Sequence, residues 1–131
     1  MNLFKQFATD ESAEVNGVNV PYGDATFLVG RLGNSKYSKK LSSLVERNQR
    51  LLDAKDDAAE AFSEKLVIEA LAETVLLGWE GVDDENDEPM PYSVENAKKV
   101  LAMKDFRREI MKMAENMEAY KVKQETAAGK P

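Results

Sequence analysis

The densest set of chemically useful side chains is an acidic run at 83–88, followed by a further carboxylate at Glu95. Carboxylate oxygens are the hard ligands that calcium prefers. A calcium loop of the EF-hand type needs a glycine at its sixth position, and counting from Asp84 that position is Pro89. Proline has a fixed φ and cannot make the sharp turn that this position requires. We therefore predict a solvated acidic turn and no dedicated metal site.

Other catalytic chemistries find little support in the sequence. The chain has no cysteine and no histidine, which excludes thiol nucleophiles, zinc ribbons and a Ser-His-Asp relay. Glu69 and Glu73 are one helical turn apart, but Lys65 beside them indicates a surface ladder of charges rather than an acid–base pair. Gly30 and Gly33 lack the Gly-Lys-Ser continuation of a phosphate-binding loop. We predict a protein that is not an enzyme and uses no cofactor.

The net charge of −6 conceals an uneven distribution. Thirteen acidic residues and one lysine give 56–95 a charge of −12, whereas 31–55 carries +5 and 96–131 carries +4. An acidic chain repels nucleic acid, whose binding depends on clustered Lys and Arg that neutralise phosphates. Within the basic block 31–55 only Tyr37 could stack on a base. We therefore predict that this block is a solvated helix face and that nucleic acid is not a partner.

The hydropathy of the chain gives no indication of a membrane protein. The longest apolar runs, 66–68 and 75–77, are far shorter than the roughly 18 residues of a membrane span. The first ten residues lack the apolar core and the small-residue cleavage site of a secretory signal. We expect a protein that is made and used in the cytoplasm and does not bind a membrane.

The elements that position these side chains begin with a β-hairpin at 15–32. The run 25–32 reads ATFLVGRL and is rich in strand formers. The turn PYGD at 21–24 suits a tight reversal, because proline fixes φ while Gly and Asp tolerate positive values. A lone hairpin is marginal in water, so its apolar face must pack on helices or on a partner's sheet.

Helical periodicity follows the hairpin. Four helices are predicted, at 35–54, 57–79, 94–102 and 105–124. Asn34 or Ser35 can cap the first of them, and Ser93 caps the third. The second, 57–79, is apolar over about two thirds of its circumference, as a helix surrounded by other elements would be.

These elements predict one domain at 14–124. Its fold class is mainly α with a small N-terminal β-hairpin, in which about four helices pack around a central buried helix at 57–79. Residues 1–13 show no sustained period and are expected to form a loose N-terminal arm. The tail at 125–131 carries no packing signal and is predicted to be disordered.

The last predicted helix carries an apolar stripe. Its residues are spaced by 4, 3, 4 and 3 positions: Phe106, Ile110, Met113, Met117 and Tyr120. Because thioether side chains adapt to irregular surfaces, one hypothesis is that this stripe binds a partner chain. The alternative is that Met113 and Met117 fill the core, as short apolar stripes more often do. The stripe and the hairpin edge would also allow homo-oligomers to form.

Two stretches resemble the tail assembly chaperones of long-tailed bacteriophages. The first, 17–41, is a small hairpin that runs into a helix begun by asparagine. The second, 71–119, contains a helix that ends in Leu-Gly-Trp at 77–79, an acidic turn with Pro-Tyr-Ser at 91–93, and then two amphipathic helices. None of these residues is catalytic, so the resemblance rests on the order of the features.

This resemblance implies a non-enzymatic, mostly helical protein that binds and shields the long tape measure protein before the tail tube polymerises around it. It implies action in the host cell cytoplasm and absence from the mature virion. It adds two partners, which are a longer frameshift product of the same gene and the tail tube protein, and it brings no metal or nucleotide cofactor.

The charge distribution leaves an alternative open. A small acidic regulator or inhibitor would bind a basic protein surface through 83–88. Binding of that kind weakens steeply with salt, whereas apolar binding of a helix in a groove does not. The salt dependence of partner binding therefore separates the two functions.

Overall fold

The computed structural model describes residues 1–54 and 57–122. In this part the chain forms seven α-helices, one 3-10 helix and a three-stranded antiparallel sheet. In chain order they are α1 (Leu3–Gln6), α2 (Glu11–Asn16), β1 (Val18–Tyr22), β2 (Ala25–Val29), α3 (Ser35–Arg47), α4 (Gln49–Asp53), α5 (Asp57–Thr74), β3 (Leu76–Glu80), α6 (Val94–Leu101), α7 (Lys104–Glu115) and the 3-10 helix (Met117–Tyr120). The predicted tail at 125–131 lies outside the described residues.

β1 and β2 form the predicted hairpin around a two-residue turn, Gly23-Asp24. Gly23 has a φ of 60°, a value that glycine adopts at little cost. β2 is the central strand of the sheet, and β3 pairs with its other edge. The register places Val20, Phe27 and Trp79 side by side, and Phe27 is buried. This inner face of the sheet therefore packs on the helices.

The predicted central buried helix at 57–79 is wrong. α5 ends at Thr74, and the residues predicted to continue it form β3. Between 57 and 65, every residue of α5 except Ala59 and Phe62 is exposed. The hairpin is likewise not a separate small element, because it supplies two strands of a three-stranded sheet.

Pairing between distant segments explains this difference. The free edge of β2 carries backbone groups that need partners, and residues 76–80 supply them. Helical periodicity is a local signal and contains no information about such a partner. Gly78 argued against a helix here, since glycine costs about 1 kcal/mol relative to alanine in a helix interior.

The main core lies between the inner face of the sheet and α5, α6 and α7. Its buried members are Phe27, Val29, Leu71, Ala72, Val75, Leu76, Ala97, Leu101, Ile110 and Ala114. A smaller cluster of Leu44, Leu66 and Ala70 joins α3 to α5. The core is thus shared between sheet and helices and does not surround a single helix.

Side-chain caps fix where two helices begin. Asn34 Oδ1 accepts the backbone N–H of Tyr37 at 3.0 Å, while Asn34 Nδ2 donates to the carbonyl of Thr74 at 3.1 Å. Ser93 Oγ accepts the N–H of Asn96 at 3.0 Å. Capping by Asn34 and by Ser93 is confirmed, and Asn34 also ties the start of α3 to the end of α5.

Two of the predicted helices are divided. Asn48 separates α3 from α4, and its Nδ2 donates to the carbonyl of Leu44 at 2.7 Å. α7 ends at Glu115, so Met117 and Tyr120 belong to the 3-10 helix. No helix in the described ranges is long and apolar enough to cross a membrane.

Candidate partner-binding surfaces

The apolar stripe predicted to bind a partner lies against the core. The ring of Phe106 is 5.4 Å from that of Phe27, and Met113 packs on the same cluster. Ile110 has no exposed surface, and Met117 is half-buried. Because α7 ends before Met117, the stripe is not one continuous helix face.

Tyr120, the last member of the stripe, joins distant parts of the chain. It is fully buried, and its hydroxyl donates to the carbonyl of Val29 at 2.8 Å. Burial raises the pKa of Tyr120 to about 12, although the nearby Arg31 guanidinium, 6.0 Å from the ring centre, acts in the opposite direction. The Tyr120 carbonyl accepts the N–H of Asp10 at 2.8 Å. In this conformation Tyr120 stabilises the domain and offers no surface to a partner.

The acidic run at 83–88 forms a tight turn. Asp84 Oδ1 accepts the N–H groups of Asn86 at 2.8 Å and Glu88 at 3.1 Å, while the Asp84 N–H donates to the Glu88 carbonyl. Asp87 adopts a φ of 60°, which Asp tolerates better than most residues. Among the residues that the structure describes, no three carboxylates converge as metal ligands do.

This turn lies at the same end of the sheet as the β1–β2 turn. A Cβ added to Gly81 would come within 2.6 Å of the Asp24 carbonyl oxygen, so the residue that leads into the acidic turn is in close contact with the β1–β2 turn. Asp24, Glu80 and the carboxylates of 83–88 together form what we call the acidic end. Its surface favours partners that carry positive charge.

The basic block is partly neutralised within the fold. Lys40 Nζ lies 3.1 Å from Glu73 and 3.7 Å from Glu69, so these two carboxylates link α5 to α3. Lys36 and Lys39 are exposed. The ladder predicted for Glu69 and Glu73 thus faces a cation of another helix.

The largest exposed apolar side chains lie in the N-terminal segment, residues 1–7. All seven residues are exposed, and α1 has no buried residue. The exposed fraction is 91% for Phe4, 57% for Phe7 and 56% for Leu3. Several large apolar side chains exposed within a few positions of one another indicate an interaction site. Residues 1–7 are therefore the best candidate site for binding a partner.

The base of the N-terminal segment is held in place. The Val122 N–H donates to the carbonyl of Ala8, and Thr9 forms a β-bridge with Lys121. Next to this base, Glu14 Oε2 accepts a hydrogen bond from Arg31 Nη1 at 2.8 Å, which lowers the pKa of Glu14. The apolar side chains of residues 1–7 are thus presented from an anchored point.

Sequence reasoning assigned no function to these residues, because seven positions are too few to show a period. The signal was present in composition, since Leu3, Phe4 and Phe7 occur within five positions beside a single charge, Lys5. A short, strongly apolar segment without a partner element indicates an interaction site more directly than a regular stripe does.

A second apolar surface is the outer face of the sheet. The register places Leu28 opposite Gly78, and Leu77 occupies the bulge beside them. A Cβ on Gly17 would lie 3.1 Å from Leu28 Cγ and 3.2 Å from Leu77 Cδ1, so both leucines lie next to Gly17. A shallow depression on this face is lined by Asn19, Thr26, Leu28, Gly78, Trp79 and Glu80. Leu28 and Leu77 are partly exposed within this face.

Comparison with known protein families gives a match over most of the chain. A family model described as YdaY prophage protein matches residues 32–130. These residues include α3, α5, β3, α6 and α7. No curated protein and no solved structure matches the chain.

Proposed function

Because the chain belongs to the YdaY prophage protein family and is therefore of phage origin, we propose that it is a phage tail assembly chaperone. In this proposal it binds and shields the tape measure protein in the host cytoplasm, without catalysis, and residues 1–7 form the binding site. A longer frameshift product of the same gene and the tail tube protein are further proposed partners. The order of hairpin, capped helix, acidic turn and helix pair supports the proposal by resemblance.

One observation carries the choice of site, which is the exposure of Phe4 and Phe7 in a segment with an anchored base. Aromatic residues and methionine are enriched in protein interfaces, and a few of them supply most of the binding energy. A long helical partner with apolar stretches needs such anchors before it is packaged. The excess negative charge of this chain would keep the complex soluble.

The test is capture of the tape measure protein encoded by the same prophage during co-expression with the tagged full chain. The double variant Phe4→Ser/Phe7→Ser should weaken capture by about tenfold or more, because loss of one aromatic hot spot costs about 2 kcal/mol. A matched control is Leu51→Ser/Met103→Ser, since these side chains are exposed by 57% and 56% but lie elsewhere. The control should capture as the wild type does.

Two results would overturn the proposal. One is a wild-type chain that captures no tape measure protein, and the other is a Phe4→Ser/Phe7→Ser variant that captures it normally. Capture should also persist at high salt, because apolar contacts are screened little. If capture disappears at high salt, the acidic end is the binding site, as in an acidic regulator.

A further inference from the structure

The outer face of the sheet contains a glycine that the backbone does not require. Gly78 lies within β3 and its φ is outside the left-handed region. A Cβ built there would be 3.6 Å from Leu28 Cβ, which is an ordinary contact. Gly81 differs, since its φ is 78° and a Cβ would come within 2.6 Å of the Asp24 carbonyl oxygen.

A glycine within a strand weakens that strand and often marks the close approach of another backbone. The bulge at Leu77 does not explain Gly78, because the φ of Gly78 is one that any residue adopts. The missing side chain at Gly78 leaves a strip of backbone beside Leu28 that a larger residue would cover. Substitution by a larger residue would fill this strip without disturbing the inner face.

We propose that this outer face binds residues 1–7 of a second copy of the chain. The two surfaces are complementary in charge, because residues 1–7 carry Lys5 and no acidic residue, whereas the outer face carries Glu80. Both surfaces are also apolar, since Leu3, Phe4 and Phe7 are exposed in residues 1–7 and Leu28 is partly exposed on the outer face. No residue of 1–7 is buried against its own chain.

Such an interface joins two different surfaces, so each copy can bind one neighbour through its segment and another through its sheet. Contacts of this type build rings or open chains, or a closed twofold dimer where two copies exchange their segments reciprocally. This inference rests on the proposed function, because the same residues 1–7 are assigned to the tape measure protein. A second copy would cover them until that partner displaces it, so self-association and partner capture compete.

The test uses analytical ultracentrifugation of the full chain over a range of concentrations. The wild type should self-associate, while Gly78→Val and Phe4→Ser/Phe7→Ser should each weaken self-association by about tenfold or more. Valine is favoured in strands, so Gly78→Val should keep or raise the midpoint of thermal unfolding. Thr26→Lys serves as a second variant of the face, since the added cation repels Lys5 and can pair with the cross-strand neighbour Glu80.

The decisive measurement is a mixture of the two defective variants. Gly78→Val retains an intact segment, and Phe4→Ser/Phe7→Ser retains an intact face, so together they should form a mixed dimer at concentrations where each alone is mostly monomeric. An interface in which each surface packs on its own copy in the partner, or unspecific aggregation, would not produce this complementation. A monomeric wild type, or a mixture that stays monomeric, would overturn the inference.

Failure of this inference and failure of the proposed function are separable. Gly78→Val leaves residues 1–7 unchanged, so it should capture the tape measure protein at least as well as the wild type does. Normal capture with no self-association in any variant would contradict the second-copy interface alone. Self-association without capture would contradict the proposed function alone.

Discussion

The stripe at 106–120 and the N-terminal segment at 1–7 contain similar apolar side chains but have opposite surroundings. Ile110 and Tyr120 have no exposed surface, whereas Phe4 is 91% exposed. The regular spacing of the stripe reflects a face that its own fold covers, through β2 and the other helices. Apolar spacing shows that a segment has a face to bury, but only the rest of the structure shows what buries it.

The largest expected effect is on the free energy of unfolding, which a substitution in the stripe should lower and a substitution in residues 1–7 should not. Ile110→Ala should lower the free energy of unfolding by about 2–5 kcal/mol, because it leaves a cavity in a packed core. Phe4→Ala should change it by less than about 0.5 kcal/mol, as exposed positions usually do. Urea unfolding followed by circular dichroism measures both. Similar losses in the two variants would mean that residues 1–7 are packed and that the comparison fails.

A smaller effect is expected at Tyr120, the last residue of the stripe. Tyr120→Phe should lower the free energy of unfolding by about 1–3 kcal/mol, because the buried carbonyl of Val29 loses its donor. The loss should also depend on pH. A tyrosine in the unfolded chain has a pKa of about 10, and in the folded chain the pKa of Tyr120 is raised to about 12.

The folded state therefore holds this proton more tightly, and the free energy of unfolding falls as pH rises from about 10 to about 12. Tyr120→Phe lacks this contribution. The difference in the free energy of unfolding between the wild type and the variant should therefore decrease over that range. Urea titrations at a series of alkaline pH values measure it. A difference that stays constant would show that the Tyr120 hydroxyl is not buried in the way described.

The smallest effect concerns the ion pair beside the base of the N-terminal segment. Glu14→Gln should cost less than about 1 kcal/mol at neutral pH, because both side chains of the pair with Arg31 are partly exposed. The hydrogen bond from Arg31 lowers the pKa of Glu14, so the stabilisation is present above the unfolded pKa of about 4.3 and is lost as pH falls through the folded value.

The difference between the wild type and Glu14→Gln should therefore disappear in acid. Thermal unfolding at pH values from neutral to strongly acidic tests this. A difference that persists in acid would assign the effect to packing rather than to charge. Capture of the tape measure protein by Glu14→Gln should be nearly normal, which would confine the role of Glu14 to anchoring.

Local chemistry made part of this fold predictable. Caps at Asn34 and Ser93 depend on side chains next to the backbone groups that they bind, and the turn at Gly23-Asp24 depends on its own residues. β3 was not predictable in the same way, because it forms through pairing with a strand far away in the sequence. The second bond of Asn34, to the Thr74 carbonyl, is non-local for the same reason.

The candidate site was harder to predict than the fold. A periodic stripe is a strong signal, but burial of Ile110 depends on β2 and on the other helices, none of which the stripe itself encodes. Exposure of Phe4 is likewise a property of the whole molecule, since it requires that nothing else in the described chain covers the segment. Composition shows that residues 1–7 contain apolar side chains, but it does not show whether the fold buries them.

The bridge between Thr9 and Lys121 brings the two ends of the described domain together. A domain whose ends lie close together can be inserted into a longer polypeptide without distortion, and it tolerates circular permutation. Val122 donates its N–H to the carbonyl of Ala8, so residue 122 lies at the base of residues 1–7. A partner linked to the chain at residue 122 would therefore be held next to the proposed binding site, and its local concentration there would rise.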